Sequence, residues 1–106
     1  MRKFLTDKAN DNIWFTHFGE ITRKQTTIEE LQNQENFICS FGSPAIVNEL
    51  RERNIDSAVL QDPYISIEKG DILYYMTTAK KVTYDQRMEE KLPEGTGLVV
   101  IKYEFL

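Results

Sequence analysis

Phe37-Ile38-Cys39-Ser40-Phe41-Gly42-Ser43-Pro44-Ala45-Ile46-Val47-Asn48-Glu49-Leu50 decides how this chain is built. The opening residues are mostly apolar and aromatic, which predicts a buried strand over 37–41. Gly42 breaks that run. Ser43 is a good helix N-cap, Pro44 suits the first helical position, and Ile46, Val47 and Leu50 recur at helical spacing. A strand therefore passes through a glycine turn into a helix that should end near Asn54. Such a junction presents free amides and the positive end of a helix dipole, an arrangement suited to phosphate. The plainer alternative is that Ser43 only caps its own helix.

Toward the N-terminus, Phe4 and Leu5 end a short strand, and Ile21 to Gln25 reads as another extended piece. Ile13 to Phe18 (IWFTHF) is ambiguous between a strand and a helical turn, because so short an apolar run carries no decisive period. Thr27 followed by Glu30 predicts a capping box, with Ile28 and Leu31 on one helical face and the helix ending at 34–36. Toward the C-terminus, Tyr64 to Glu68 alternates as a strand. Lys69-Gly70-Asp71 turns the chain and Ile72 to Met76 returns, which predicts an antiparallel hairpin. Thr83 with Gln86 is a second capping signal, for a short helix over 85–90, and Pro93-Glu94-Gly95 breaks it. Val99, Ile101, Tyr103 and Phe105 share one face of a closing strand, with Lys102 and Glu104 opposite. The expected fold is a single α+β domain over 1–106: a mixed, mostly antiparallel sheet with two or three short helices packed on it.

Composition sets the outer bounds. The chain has 106 residues, 41% hydrophobic, 11% aromatic and 28% charged, with a net charge of −4. That is enough for one core and too apolar for a disordered tail. No apolar run reaches membrane-spanning length, and the start, MRKFLTDKAND, is too polar for a secretory signal. The lone Cys39 makes no internal disulfide, so a reducing cytoplasm is expected. The acidic balance argues against double-stranded DNA as a partner, since phosphate neutralisation needs excess Lys and Arg.

Chemistry-bearing residues are few. His17 is the sole histidine, so any histidine acid–base chemistry within one chain falls to it, although its aromatic neighbours favour a structural role. Cys39 sits in an apolar strand, where thiols usually pack. No second His or Cys stands at ligand spacing, so no metal is expected, and there is no GxGxxG, P-loop or nucleophile elbow. Glu29/Glu30, Asp85 and Glu89/Glu90 read as solvated helical faces, Trp14 as core, and Lys80-Lys81 as a phosphate contact of low specificity.

Taken in order, Phe4-Leu5-Thr6-Asp7, Thr27-Ile28-Glu29-Glu30, 37–50, Ile67-Glu68-Lys69-Gly70-Asp71 and Lys102-Tyr103-Glu104-Phe105 resemble the viral and mobile-element ring nucleases that act as type III anti-CRISPR proteins. The resemblance implies a homodimer that binds cyclic tetra-adenylate at the subunit interface. In that family the ring is cut without metal or cofactor. The ribose 2′-hydroxyl attacks the phosphate, a Gly-His histidine protonates the leaving oxygen, and an Arg-x-x-Glu-Gly segment assists.

This chain departs from the family at those points. Ser43 stands at the histidine position and has no proton to give near neutral pH. The Arg-x-x-Glu-Gly segment falls either at Lys91-Leu92-Pro93-Glu94-Gly95 or at Thr78 to Lys81, and both put Lys in place of the planar Arg fork. Losing a positioned general acid costs about two to four decades of rate. The expectation is therefore a cytoplasmic homodimer that binds a cyclic nucleotide or oligonucleotide defence signal with little or no catalysis. Its candidate ligand contacts are Asp7, Asn10, Gly42, Ser43, Ala45, Lys80 and Lys81. The alternatives are an active ring nuclease using His17, and a protein–protein inhibitor of a host enzyme anchored by the aromatic segment 13–18.

Overall fold

The computed structural model describes residues 1–7, 13–15, 19–61 and 63–106, with the backbone alone for 13–15. The candidate residues Asn10 and His17 and the side chain of Trp14 lie outside the described residues. Seven strands and three helices occur among the described residues: β1 (Lys3–Thr6), β2 (Ile13–Phe15), β3 (Ile21–Thr26), α1 (Ile28–Gln32), β4 (Phe37–Ser40), α2 (Pro44–Glu52), β5 (Ile65–Ile67), β6 (Ile72–Thr78), α3 (Tyr84–Arg87) and β7 (Leu98–Phe105).

The single α+β domain is built on a mixed sheet of order β3-β7-β6-β1-β4. β1 lies between two parallel partners, with Leu5 opposite both Cys39 of β4 and Tyr74 of β6. β7 pairs antiparallel with β6 and with β3. The expected hairpin between the segments 64–68 and 72–76 is corrected. The Gly70 turn is there, at φ +90 and closed by Asp71 N–H donating to Glu68 O at 3.1 Å. Yet β5 pairs in parallel with β2 in a separate two-stranded sheet. The alternation that marks β5 as half-buried belongs to a strand lying on the sheet's face, not one joined to its edge.

Strand period two divides the interior. Leu5, Tyr74, Met76 and Val100 point to one face, where Leu31 of α1 and Ile46, Val47 and Leu50 of α2 cover them. Phe4, Leu73 and Phe105 point to the other and are covered by Ile65 and Ile67 of β5. β7 is thus lined on both faces, and its Lys102 is mostly enclosed rather than solvated. The outer edge of β4 is closed by the loop after α2: Phe41 N–H donates to Gln61 O at 2.8 Å and the Gln61 amide to Cys39 O at 3.2 Å. That removes a free strand edge. Cys39 is buried, its thiol pushed up by burial and bonded to Ser57 O, as an inert packing residue should be.

The capping box at Thr27 is also corrected. Thr27 is the N-cap of α1 but makes no side-chain cap. Glu30 instead accepts from Thr26 Oγ1 at 3.0 Å and from Tyr74 Oη at 2.8 Å, and pairs with Lys102 Nζ at 3.2 Å. The carboxylate is drawn inward because the Tyr74 hydroxyl, on a residue 1% exposed, needs an acceptor. Burial pushes Glu30 up, but the bonds from Tyr74, Lys102 and Thr26 outweigh it and hold the group below its ordinary value. Tyr74→Phe should therefore cost about 1 kcal/mol, the net worth of a hydrogen bond, read as a lower urea midpoint at unchanged m.

Candidate functional site

Because β1, β4 and β6 run parallel, their carboxyl ends open on one edge of the sheet. Open α/β sheets bind ligands beyond that edge. Asp7 follows β1, Gly42 and Ser43 follow β4, and Lys80 and Lys81 follow β6. The parallel topology sets all three segments at that edge, and hydrogen bonds join Asp7 to Gly42 and Ser43, with Ala45 just inside.

The amides at the start of α2 are not free. Gly42 N–H donates to Asp7 Oδ1 at 3.0 Å and Ser43 N–H to Asp7 Oδ2 at 2.8 Å. The cradle expected for a ligand phosphate is filled by a carboxylate of the chain itself, on a residue 3% exposed. This helix start does hold an anion, as its chemistry requires. The anion is Asp7. Ser43 is equally committed: it caps α2 by accepting from Ile46 N–H at 3.2 Å and donates to Arg87 O at 2.6 Å. Ala45 is wholly buried in the core. Ser43→Ala should cost about 1–2 kcal/mol by removing the cap and the tie to α3, visible as a lower thermal midpoint.

Arg87 is the residue that sequence reasoning missed. Its Nη2 lies 3.7 Å from Asp7 Oδ2 and donates to Asp7 O at 3.4 Å, while 37% of its side chain faces solvent. Neither placement of the Arg-x-x-Glu-Gly segment includes it, yet Arg87-Met88-Glu89-Glu90 carries the Arg-x-x-Glu spacing with a true arginine, departing only at Lys91. The available signal was the Thr83–Gln86 capping box, which fixes α3. Both of its bonds form, so Arg87 closes the last turn beside the α2 start. The two placements themselves meet in space: Lys80 Nζ lies 3.9 Å from the position a Cβ would take on Gly95. A groove of about 320 Å³ runs along the 92–97 loop beside Glu49 and Arg53. Among the described residues no cluster of His, Cys, Asp or Glu is arranged to hold a metal ion, and no helix is long and apolar enough to cross a membrane.

Comparison with solved structures decides what else is built this way. A viral protein shares this fold. B116 of Sulfolobus turreted icosahedral virus superposes with a TM-score of 0.69, over 98% of this chain and 99% of B116, at 12% identity. At that identity the likeness to B116 is one of fold. No family model matches the chain, and no curated protein matches its sequence.

Proposed function

We propose that this chain is a homodimeric binder of a cyclic nucleotide or oligonucleotide signal of type III CRISPR defence, and that it acts for a virus or mobile element by sequestering the signal rather than by cutting it. The observation that carries this reading is Arg87: a partly exposed guanidinium steadied by a buried carboxylate, at the carboxyl edge where Lys80 and Lys81 also emerge. A planar fork held in place suits a phosphodiester. Phosphate contact is assigned to this rim, because the amides behind it belong to Asp7. The fold shared with B116 and the order of sequence segments support the viral assignment. Cleavage is not part of the reading, because the Ser43 hydroxyl is turned inward onto Arg87 O.

The test is calorimetric titration of the purified protein with cyclic oligoadenylates, cyclic dinucleotides and cyclic ADP-ribose isomers, followed by chromatography of the ligand. The expected result is saturable heat with at least one of them, one ring per dimer, and the ring recovered intact. No heat with any ligand rejects the reading, and a linear product converts it to a ring nuclease.

A further inference from the structure

We propose that the helical side of the domain is a docking surface for a cationic protein segment, one rich in Arg and Lys. The inference is independent of the nucleotide reading, which concerns the carboxyl edge of the sheet, and the two can fail separately.

Charge is polarised along the fold. α1 with the turn after it (28–36), α2 with its turn (44–56) and α3 with the loop to β7 (84–97) hold ten carboxylates against four cations, which is −6 in a chain whose net charge is −4. The rest of the chain, with nine cations against seven carboxylates, is +2. All four cations of the helical side are already engaged. Arg53 pairs with Glu49 at 3.0 Å, Lys91 with Glu52 at 3.9 Å and Arg87 with Asp7 at 3.7 Å, while Arg51 Nε donates to Ala58 O at 2.7 Å. Glu30 is turned inward onto Tyr74 and Lys102. The other seven carboxylates are exposed, and none has an ion-pair partner among the described residues. A surface built only for solubility intersperses both signs; this one has no cation left to offer.

The three segments form one continuous surface. Gln32 Nε2 donates to Arg53 O at 2.8 Å, tying the end of α1 to the end of α2, and the Asn48 amide donates to Glu90 O at 2.8 Å, tying α2 to the turn after α3. Two recesses lie along it. One, of about 290 Å³, sits where both helices end and is lined by Glu35, Asn36, Asn54 and Asp56 with no cation. It lies at the negative ends of α1 and α2, and α1 has no basic residue in its last turn. The other is the groove along the 92–97 loop, where Leu92 and Pro93 adjoin Glu94. Arg and Lys suit such a groove, since their apolar stems lie on apolar surface while the charged head meets a carboxylate. Tyr84 and Met88, exposed on α3 ahead of Glu89 and Glu90, add apolar contact that a protein uses and a free cation does not. No group of three His, Cys, Asp or Glu converges for a metal ion among the described residues. Nucleic acid is repelled by this charge, and the scattered +2 of the remaining chain is a weak match from a second copy.

The test measures fluorescence anisotropy of labelled nona-arginine at about 0.15 M salt, near physiological ionic strength. Wild type should bind it. The double variant Glu35→Gln/Asp56→Asn should weaken binding roughly 2- to 30-fold, the span expected for losing two exposed ion pairs. Glu89→Gln/Glu90→Gln should weaken it over the same span. Glu20→Gln/Glu68→Gln makes an equal change of net charge outside the three segments and should leave binding near wild type. Thermal melts check that all three variants are folded. The proposal is overturned if nona-arginine does not bind at this salt. It is also overturned if the control pair weakens binding as much as the other two, which makes affinity a matter of net charge alone. Displacement of the peptide by spermine as readily as by unlabelled nona-arginine, at equal charge concentration, overturns it too, because the occupant is then a small polycation.

Discussion

Asp7→Ala is expected to lower stability by about 3 kcal/mol, within the range for breaking a buried charged pair. Two amides lose their acceptor and one guanidinium its ion pair. Gly42 N–H and Ser43 N–H remain inside the protein with nothing to donate to, and Arg87 loses the carboxylate that steadies it. An unmet buried donor costs about 1–3 kcal/mol, so the two amides account for most of the loss. In a domain of this size the thermal midpoint should fall by roughly 15 °C. Asp7→Asn keeps one acceptor oxygen and should lose about half as much. Equal melts for Asp7→Ala and wild type would mean that the α2 start finds water or another anion at no cost.

Asp71→Ala is the second large effect, about 2–3 kcal/mol. This buried carboxylate accepts from Arg2 N–H at 3.2 Å, Arg2 Nε at 3.3 Å, Arg2 Nη2 at 2.7 Å and Glu68 N–H at 2.9 Å. It fastens the first residues of the chain to the turn between β5 and β6. The bonds to Asp71 are only part-buried, whereas the Ser43–Asp7 bond is buried, which places the cost below that at Asp7. Burial pushes Asp71 up, but the bonds from Arg2 and the Glu68 amide outweigh it, so its folded value lies below 3.8. Glu30 likewise lies below its ordinary 4.5. A carboxylate lowered by folding contributes stability that is present above its unfolded value and lost as pH falls through its folded one. Urea midpoints should therefore be level above about pH 4.5 and fall as the solution is acidified below about pH 4. Asp71→Asn should flatten part of that acid limb, and an unchanged limb would assign it to other groups.

The sequence carried those features that rest on local chemistry. The strand–Gly–Ser-Pro–helix junction is legible because capping and proline geometry are set by adjacent residues, and Ser43 caps α2 as its position predicts. The Thr83–Gln86 box forms for the same reason. What failed was pairing at a distance. Nothing near Tyr64 or Ile72 says that β5 crosses to β2, because a half-buried strand alternates the same way on a hairpin as on a sheet's face. Thr27 and Glu30 have the spacing of a capping box, but Tyr74 and Lys102, more than forty residues away in sequence, compete for the carboxylate and win. The candidate site shows both sides of this. Its anion-holding amides are visible in the sequence. Their occupant, Asp7, lies 35 and 36 residues away from them, and Arg87 lies 80 from Asp7. Only the fold brings these groups together.

The central claim is that a signal nucleotide is held at the carboxyl edge of β1, β4 and β6 by the rim around Arg87, in front of amides already taken by Asp7. Backbone-amide NMR of the ¹⁵N-labelled protein during titration with cyclic tetra-adenylate, a cyclic dinucleotide and a cyclic ADP-ribose isomer in turn examines it residue by residue. The account predicts saturable shifts concentrated at Lys80 to Met88, with Gly42 and Ser43 keeping the downfield, slowly exchanging signals of amides bonded to a carboxylate. Saturable shifts on the β3 edge instead, or a spectrum unmoved by excess ligand, would contradict it.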